Sequence, residues 1–123
     1  MNEVWIVGAK RTPIGDLLGK LKDVSAVDLG VTAVTAALEQ AGVAPGQVQE
    51  VACGQIYKAG AKGNPGRQLQ LKCGMPIESF ACTVDQQCGS GMKAFEIACQ
   101  SIQLGKTDVD QKRPGVCHLF SMY

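Results

Sequence analysis

The chain has no Cys-x-x-Cys pair and a single histidine, His118. Protein-bound zinc wants ligands paired at short spacing, which argues against a zinc site. The same absence argues against a thiol-redox pair. Aromatic residues are few, three Phe, two Tyr and one Trp, which leaves no platform on which bases could stack. Neither sign of charge is in excess. Twelve Lys and Arg stand against eleven Asp and Glu, for a net charge of +1, so there is no electrostatic footprint for nucleic acid or a membrane surface. Long hydrophobic runs are missing too. Met1-Asn2-Glu3 leads straight into Val4-Trp5-Ile6-Val7-Gly8, too short for a secretory core and without a basic start. Residues 29–38 are the most apolar later stretch; they contain two threonines and are far too short to cross a bilayer. The expectation is a soluble, cytoplasmic protein with no nucleic-acid or membrane partner.

What is present suits a globular domain. The 123 residues are 46% hydrophobic and 19% charged, enough apolar material for one core. Fifteen glycines imply many tight turns. The six cysteines are Cys53, Cys73, Cys82, Cys88, Cys99 and Cys117. An even count could form three disulfides, but without a secretion signal reduced thiols are expected. Cys53, Cys73, Cys82 and Cys99 read as small buried hydrophobes.

Residues 4–7 form a continuous apolar run ending at Gly8, the pattern of a strand buried on both faces. Pro13 and Gly15 break the following segment into a loop, and residues 16–24 also read as loop. Ser25 is an N-cap candidate with Asp28 in the capping-box position. Val27, Val31, Val34, Leu38 and Ala41 recur at helical spacing, while Gly42 and Pro45 stop the pattern, so a helix is predicted over 26–41. Strand character returns over 48–56, centred on Val51-Ala52-Cys53. A Gly- and Lys-bearing loop covers 57–64, where Lys58 and Lys62 read as solvated charges. Asn64-Pro65 is a helix start of N-cap then N1 proline, and Gly74 and Pro76 end that helix. A third strand is predicted over 79–84, with Phe80, Cys82 and Val84 on one face. The next helix carries Gly91, Ala94, Phe95, Ala98, Cys99 and Ile102 on one side and ends at Gly105.

Strands alternating with helices predict an α/β fold with a mainly parallel sheet covered on both sides. Sites in such sheets form at the carboxyl ends of strands. Cys88 falls at such a point, between the strand over 79–84 and the next helix. Gly89 and Gly91 follow it, so the backbone can bend and approach a ligand. A thiol at a helix N-terminus lies near unpaired N–H groups and the positive end of the helix dipole, which favours the nucleophilic thiolate. The residues alone leave a second reading open, a packing cysteine that happens to start a helix. After Val109 a fourth strand is due. The charged Asp110-Gln111-Lys112-Arg113-Pro114-Gly115 stands there instead, and residues 116–123 are expected to add no further element.

Three motifs in order, Arg11-Thr12-Pro13-Ile14-Gly15, Asn64-Pro65-Gly66-Arg67-Gln68 and Gln86-Gln87-Cys88-Gly89-Ser90-Gly91-Met92, resemble the start of a thiolase. The likeness covers residues 2 to 109, and the cysteine motif is its most specific part. It implies the N-terminal half of the first α-β-α-β-α layered core domain of that fold. It also implies an acyl-CoA acetyltransferase that condenses two acetyl-CoA into acetoacetyl-CoA, or runs the reverse thiolysis, through a thioester on Cys88. The substrates are coenzyme A thioesters, no separate cofactor is expected, and family members are homo-oligomers that dimerise through the sheet region near the cysteine. The backbone N–H of Cys88 would be one oxyanion-hole donor. The family's Gly-His-Pro histidine, its second catalytic cysteine, its asparagine motif and its CoA-binding loop domain have no counterpart here; His118 and Cys117 lack those contexts. Residues 1–109 therefore read as a partial thiolase domain and 110–123 as an unrelated tail of a truncated or frame-shifted chain. The strand missing there would leave two strand edges unpaired, and the chain alone is expected to be inactive. The alternative is a non-catalytic chain or an interaction fragment.

Overall fold

A computed structural model describes residues 1–107 and the backbone of residues 117–121. The order of elements is α1 (Ala26–Ala41), a 3-10 turn (Pro45–Gln47), β1 (Glu50–Gly54), α2 (Pro65–Lys72), β2 (Phe80–Val84), α3 (Ser90–Gln103) and β3 (Cys117–Ser121). The sheet is wholly parallel, in the order β2-β1-β3. Glu50 to Gly54 pair in register with Phe80 to Val84 on one side and with Cys117 to Ser121 on the other.

The helices begin and end where local chemistry satisfies their terminal groups. At the start of α1, Ser25 Oγ accepts from the Asp28 N–H at 3.1 Å and donates to the Asp28 carboxylate at 2.6 Å. At its end Gly42 adopts φ +65°, and the N–H groups of Gly42 and Val43 return to Glu39 and Leu38, a left-handed cap that glycine takes without strain. Asn64 caps α2, its Oδ1 accepting from the Arg67 N–H at 3.2 Å. The same oxygen accepts from Thr83 Oγ1 on β2 at 2.5 Å, and the Asn64 side-chain amide donates to Ala81 O at 3.1 Å. The cap thus ties α2 to the strand beside it.

Strand alternation divides the core between the two faces of the sheet. On one face Val51 meets Val27, Val34 and Leu38 of α1, Leu69 of α2, and Val48 and Met75. On the other Ala52 meets Ala94 and Ala98 of α3, with Cys82, Val84 and Ile97 at the margin. Helices α1 and α2 therefore cover one side and α3 the other, as the alternating pattern implied.

Two expectations fail. Residues 4–7 are not a strand. Trp5 and Ile6 are 69% and 73% exposed and Val7 is also largely open. The backbone there reaches the helices instead: Asn2 donates to Gln103 O and Ile102 O of α3, and the Ala9 N–H donates to Gln40 Oε1 of α1. An apolar run becomes a strand buried on both faces only inside a sheet; both places beside β1 are taken by β2 and β3, and residues 4–7 do not pair with the outer edge of either. The second failure is the end of the chain, which does add an element. β3 pairs with β1 throughout its length, so that edge of β1 is not left bare. The charged stretch 110–115 lies outside the described residues.

Candidate active site

Cys88 lies in the turn that joins the carboxyl end of β2 to α3, and it is exposed. Gly89 is the N-cap of α3. The residue that makes the corner is Gln87, in the left-handed region at φ +49°, whereas Gly89 has the ordinary φ of −86°. The left-handed position thus falls on a residue with a side chain, which that region disfavours.

Side chains on both sides hold Gln87 there. Asp85 Oδ1 accepts from the Gln87 N–H at 3.1 Å. Ser90 Oγ donates to Gln87 O at 2.6 Å and accepts from the Gln86 N–H at 2.9 Å. Ser90 is buried, so its hydroxyl acts in a dry setting where unpaired backbone groups are costly. Two further turn bonds close the corner: the Gly89 N–H donates to Gln86 O and the Ser90 N–H to Gln87 O, both at 3.0 Å. The N–H groups of Gly89 and Ser90, at the helix start, are therefore engaged within the turn.

The start of α3 is seated on β1 at Gly54. A Cβ at Gly54 would lie 2.6 Å from the Ser90 carbonyl carbon and 2.7 Å from the Gly91 nitrogen, closer than any side chain tolerates, so only glycine lets helix and strand approach this far. Past the end of β1 the ladder gains one bond, from the Gln55 N–H to Val84 O at 3.0 Å. The carboxyl ends of β1 and β2 are thus locked together beneath Cys88. Lys58 differs from its reading as a solvated charge: its Nζ lies 3.4 Å from Gln55 O and 3.9 Å from Asp85 Oδ2. Arg11 donates to Thr12 O within its own loop.

Three of the other described cysteines sit in settings unsuited to attack. Cys53, on β1, is fully buried, and burial pushes its thiol up to about 12. Burial also raises the thiols of Cys73 and Cys82. These three stay protonated at neutral pH and serve as packing groups. All five described cysteines are unpaired. Among the described residues no group of His, Cys, Asp and Glu could hold a metal ion, and no helix is long and apolar enough to cross a membrane.

Sequence reading found Cys88 and its glycines but missed Gly54, Asp85 and Ser90. A glycine closing an otherwise buried strand was the one available signal, since such a residue marks close backbone approach. Nothing in the local pattern marked Ser90 as more than a helix-start serine.

Comparison with known proteins agrees with this geometry. The family model described as "Thiolase, N-terminal domain" matches residues 4–110. A probable acetyl-CoA acetyltransferase of Escherichia coli K12 is 48% identical over 109 residues, covering 89% of this chain and 28% of that protein. Acetyl-CoA acetyltransferase 2 of Arabidopsis thaliana is 48% identical over 108 residues, covering 88% and 27%. Among solved structures, an acetyl-CoA acetyltransferase from Syntrophomonas wolfei superimposes with a TM-score of 0.80 at 50% identity, over 84% of this chain and 26% of that one. A thiolase from Ascaris suum in complex with coenzyme A gives 0.77 at 32% identity, over 82% and 26%. The chain spans only 28% of the first of these relatives. With the fold, the turn and the family model in agreement over residues 4–110, the chain belongs to the thiolase family.

Proposed function

We propose that this chain is the nucleophile-bearing part of an acyl-CoA acetyltransferase and that Cys88 accepts the acyl group. The observation that carries the reading is the exposed thiol at the carboxyl end of β2, one residue before the cap of α3, in a chain akin to proteins named acetyl-CoA acetyltransferases. Cys88 Sγ attacks the thioester carbonyl carbon of acetyl-CoA. A carbon–sulfur bond to Cys88 forms, the bond to the coenzyme A sulfur breaks, and coenzyme A leaves with the proton that Cys88 gave up. A second acetyl-CoA loses a methyl proton, its enolate carbon attacks the acetyl-enzyme carbonyl, the carbon–carbon bond forms as the carbon–sulfur bond to Cys88 breaks, and Cys88 takes up that proton as acetoacetyl-CoA leaves. Thiolysis is the reverse. The backbone N–H of Cys88 is the proposed donor to the oxygen that gains charge.

No histidine occurs among residues 1–107, so a base that activates Cys88 is not supplied by that part of the chain. A free thiol of this kind operates in a reducing compartment, which favours the cytoplasm, and the assembled enzyme is proposed to be a homo-oligomer using coenzyme A thioesters with no separate cofactor. The second reading is a non-catalytic chain, favoured by the open apolar residues Trp5 and Ile6.

One experiment separates them. The purified chain is incubated with acetyl-CoA, and in parallel with iodoacetamide, and each adduct is located by peptide mass spectrometry. Selective modification of Cys88 by both reagents is expected, with weak or no turnover of acetoacetyl-CoA by the chain alone. Slow, even labelling of all six cysteines overturns the nucleophile reading. Thiolysis that vanishes in Cys88→Ala overturns the expected lack of turnover.

A further inference from the structure

We propose that Asp85 and Ser90 are positioning residues for Cys88 and act through the backbone of Gln87. The inference rests on the reading of Cys88 as acyl acceptor and goes beyond it, because neither side chain needs to touch substrate.

Gln87 carries the only positive φ in the turn, at +49°, and a residue with a Cβ does not hold that conformation without support. Support comes from two directions. The Asp85 carboxylate takes the Gln87 N–H at 3.1 Å, and the Ser90 hydroxyl takes the Gln87 carbonyl at 2.6 Å. The peptide groups on either side of the strained residue are therefore each fixed by a side chain. Ser90 also takes the Gln86 N–H at 2.9 Å, so one hydroxyl spans the corner. Ser90 itself cannot drift, because the helix backbone around it rests against Gly54 of β1. Asp85 has its second oxygen 3.9 Å from Lys58 Nζ, which steadies the carboxylate from the neighbouring loop.

The next peptide group carries Cys88. If Gln87 relaxes into the right-handed or extended region, the Cys88 Cα–Cβ bond turns away from its place above the strand ends. The thiol stays exposed and chemically competent in either state. What changes is its aim. Alkylation by a small reagent needs only an accessible thiolate, whereas acyl transfer also needs Sγ to reach a thioester carbonyl along a fixed direction. Loss of the clamp should therefore reduce acylation more than alkylation, a split that general loosening of the fold does not produce.

The test compares the full chain with Asp85→Ala, Asp85→Asn, Ser90→Ala and Ser90→Ala/Gln87→Gly. Acetylation of Cys88 by acetyl-CoA and its alkylation by iodoacetamide are timed by peptide mass spectrometry, and folding is followed by circular dichroism. Asp85 is exposed, so its variants fold whether or not Ser90→Ala does. Asp85→Ala is expected to lower the acetylation rate about fivefold to tenfold, the scale of one lost hydrogen bond, with alkylation changing less than twofold. Asp85→Asn keeps the acceptor oxygen and should restore acetylation. Gln87→Gly, which holds the left-handed region without strain, should recover most of what Ser90→Ala loses. Equal loss of acetylation and alkylation in Asp85→Ala, or acetylation at the parent rate, overturns the clamp. Acetylation absent from the parent chain while it is alkylated selectively at Cys88 overturns the acyl-acceptor reading and this proposal's acylation arm together.

Discussion

The two faces of the sheet are built from different materials. The face under α1 and α2 is bulky, with Val27, Val34, Leu38, Val51, Leu69 and Met75 interlocked around β1. The face under α3 is made of Ala52, Ala94 and Ala98, with Gly54 directly under the helix start. Large branched side chains bury much apolar area per residue and supply most of the hydrophobic stabilisation. Alanines supply little, but they let the backbones of helix and strand come close, and a short distance between rigid elements leaves little freedom in what they carry. The first face holds the fold together, and the second fixes where the Cys88 turn stands.

Substitutions on opposite faces should therefore separate stability from thiol behaviour. Leu69→Ala has the largest expected effect on stability. Leu69 is fully buried, and its truncation leaves a cavity between α2 and β1, costing about 2–5 kcal/mol. Urea unfolding should show this, while the selectivity of iodoacetamide for Cys88 below the transition stays near the parent value. Gly54→Ala should do the reverse. The new methyl group meets the Ser90 backbone, so α3 must shift, at a cost of about 1–3 kcal/mol. That is less than Leu69→Ala in stability, yet it should slow acetylation of Cys88 by acetyl-CoA relative to its alkylation. A Gly54→Ala chain that keeps the parent ratio of acetylation to alkylation would show that the close approach does not position the turn.

A third variant sharpens the contrast from the bulky side. Asn64 caps α2 and bonds to Thr83 and Ala81 on β2. Asn64→Ala removes those bonds together and should cost about 0.5–2 kcal/mol, read as a lower urea midpoint. Thr83 and Ala81 lie on β2, the strand that leads to Cys88, but on the α2 face. Unchanged Cys88 selectivity is expected, and a large change would mean the two faces are not independent.

How much of this was legible in sequence depended on whether the signal was local. The bounds of α1 could be read because its cap Ser25, its Asp28, its apolar spacing and its Gly42 all lie within the helix or beside it. Asn64-Pro65 marked α2 in the same way. Residues 4–7 carried an equally strong apolar run, yet whether a run pairs is decided by the strand it meets, and the central places beside β1 went to β2 and β3. β3 failed to register for the matching reason, since its existence is settled by the edge of β1 rather than by its own short and mixed composition. In the site, Cys88 was visible from its neighbours. The contact of Gly54 with Ser90 was not, because it joins two elements that only the sheet topology brings together.

The smallest expected effect lies at the outer rim of the bulky face, where it tests whether charge adds to packing there. Lys72 at the end of α2 meets Asp28 at the start of α1, with Nζ 2.6 Å from Oδ1 and both side chains about half exposed. The bond from Lys72, followed by the one from Ser25, holds the Asp28 carboxyl below its ordinary value of 3.8. A depressed carboxyl stabilises the fold when ionised, so its contribution is present above the unfolded value and fades as pH falls through the lower folded value. Lys72→Met should thus lower the melting temperature slightly at pH 7. The gap to the parent chain should shrink as pH falls below the ordinary aspartate value and close once Asp28 is protonated in the folded chain as well. Added salt should narrow the same gap at pH 7, because exposed pairs are screened. A gap that persists in acid and in high salt would mean that Lys72 acts through the apolar stem lying across α1, and the rim of this face would then be packing like its interior.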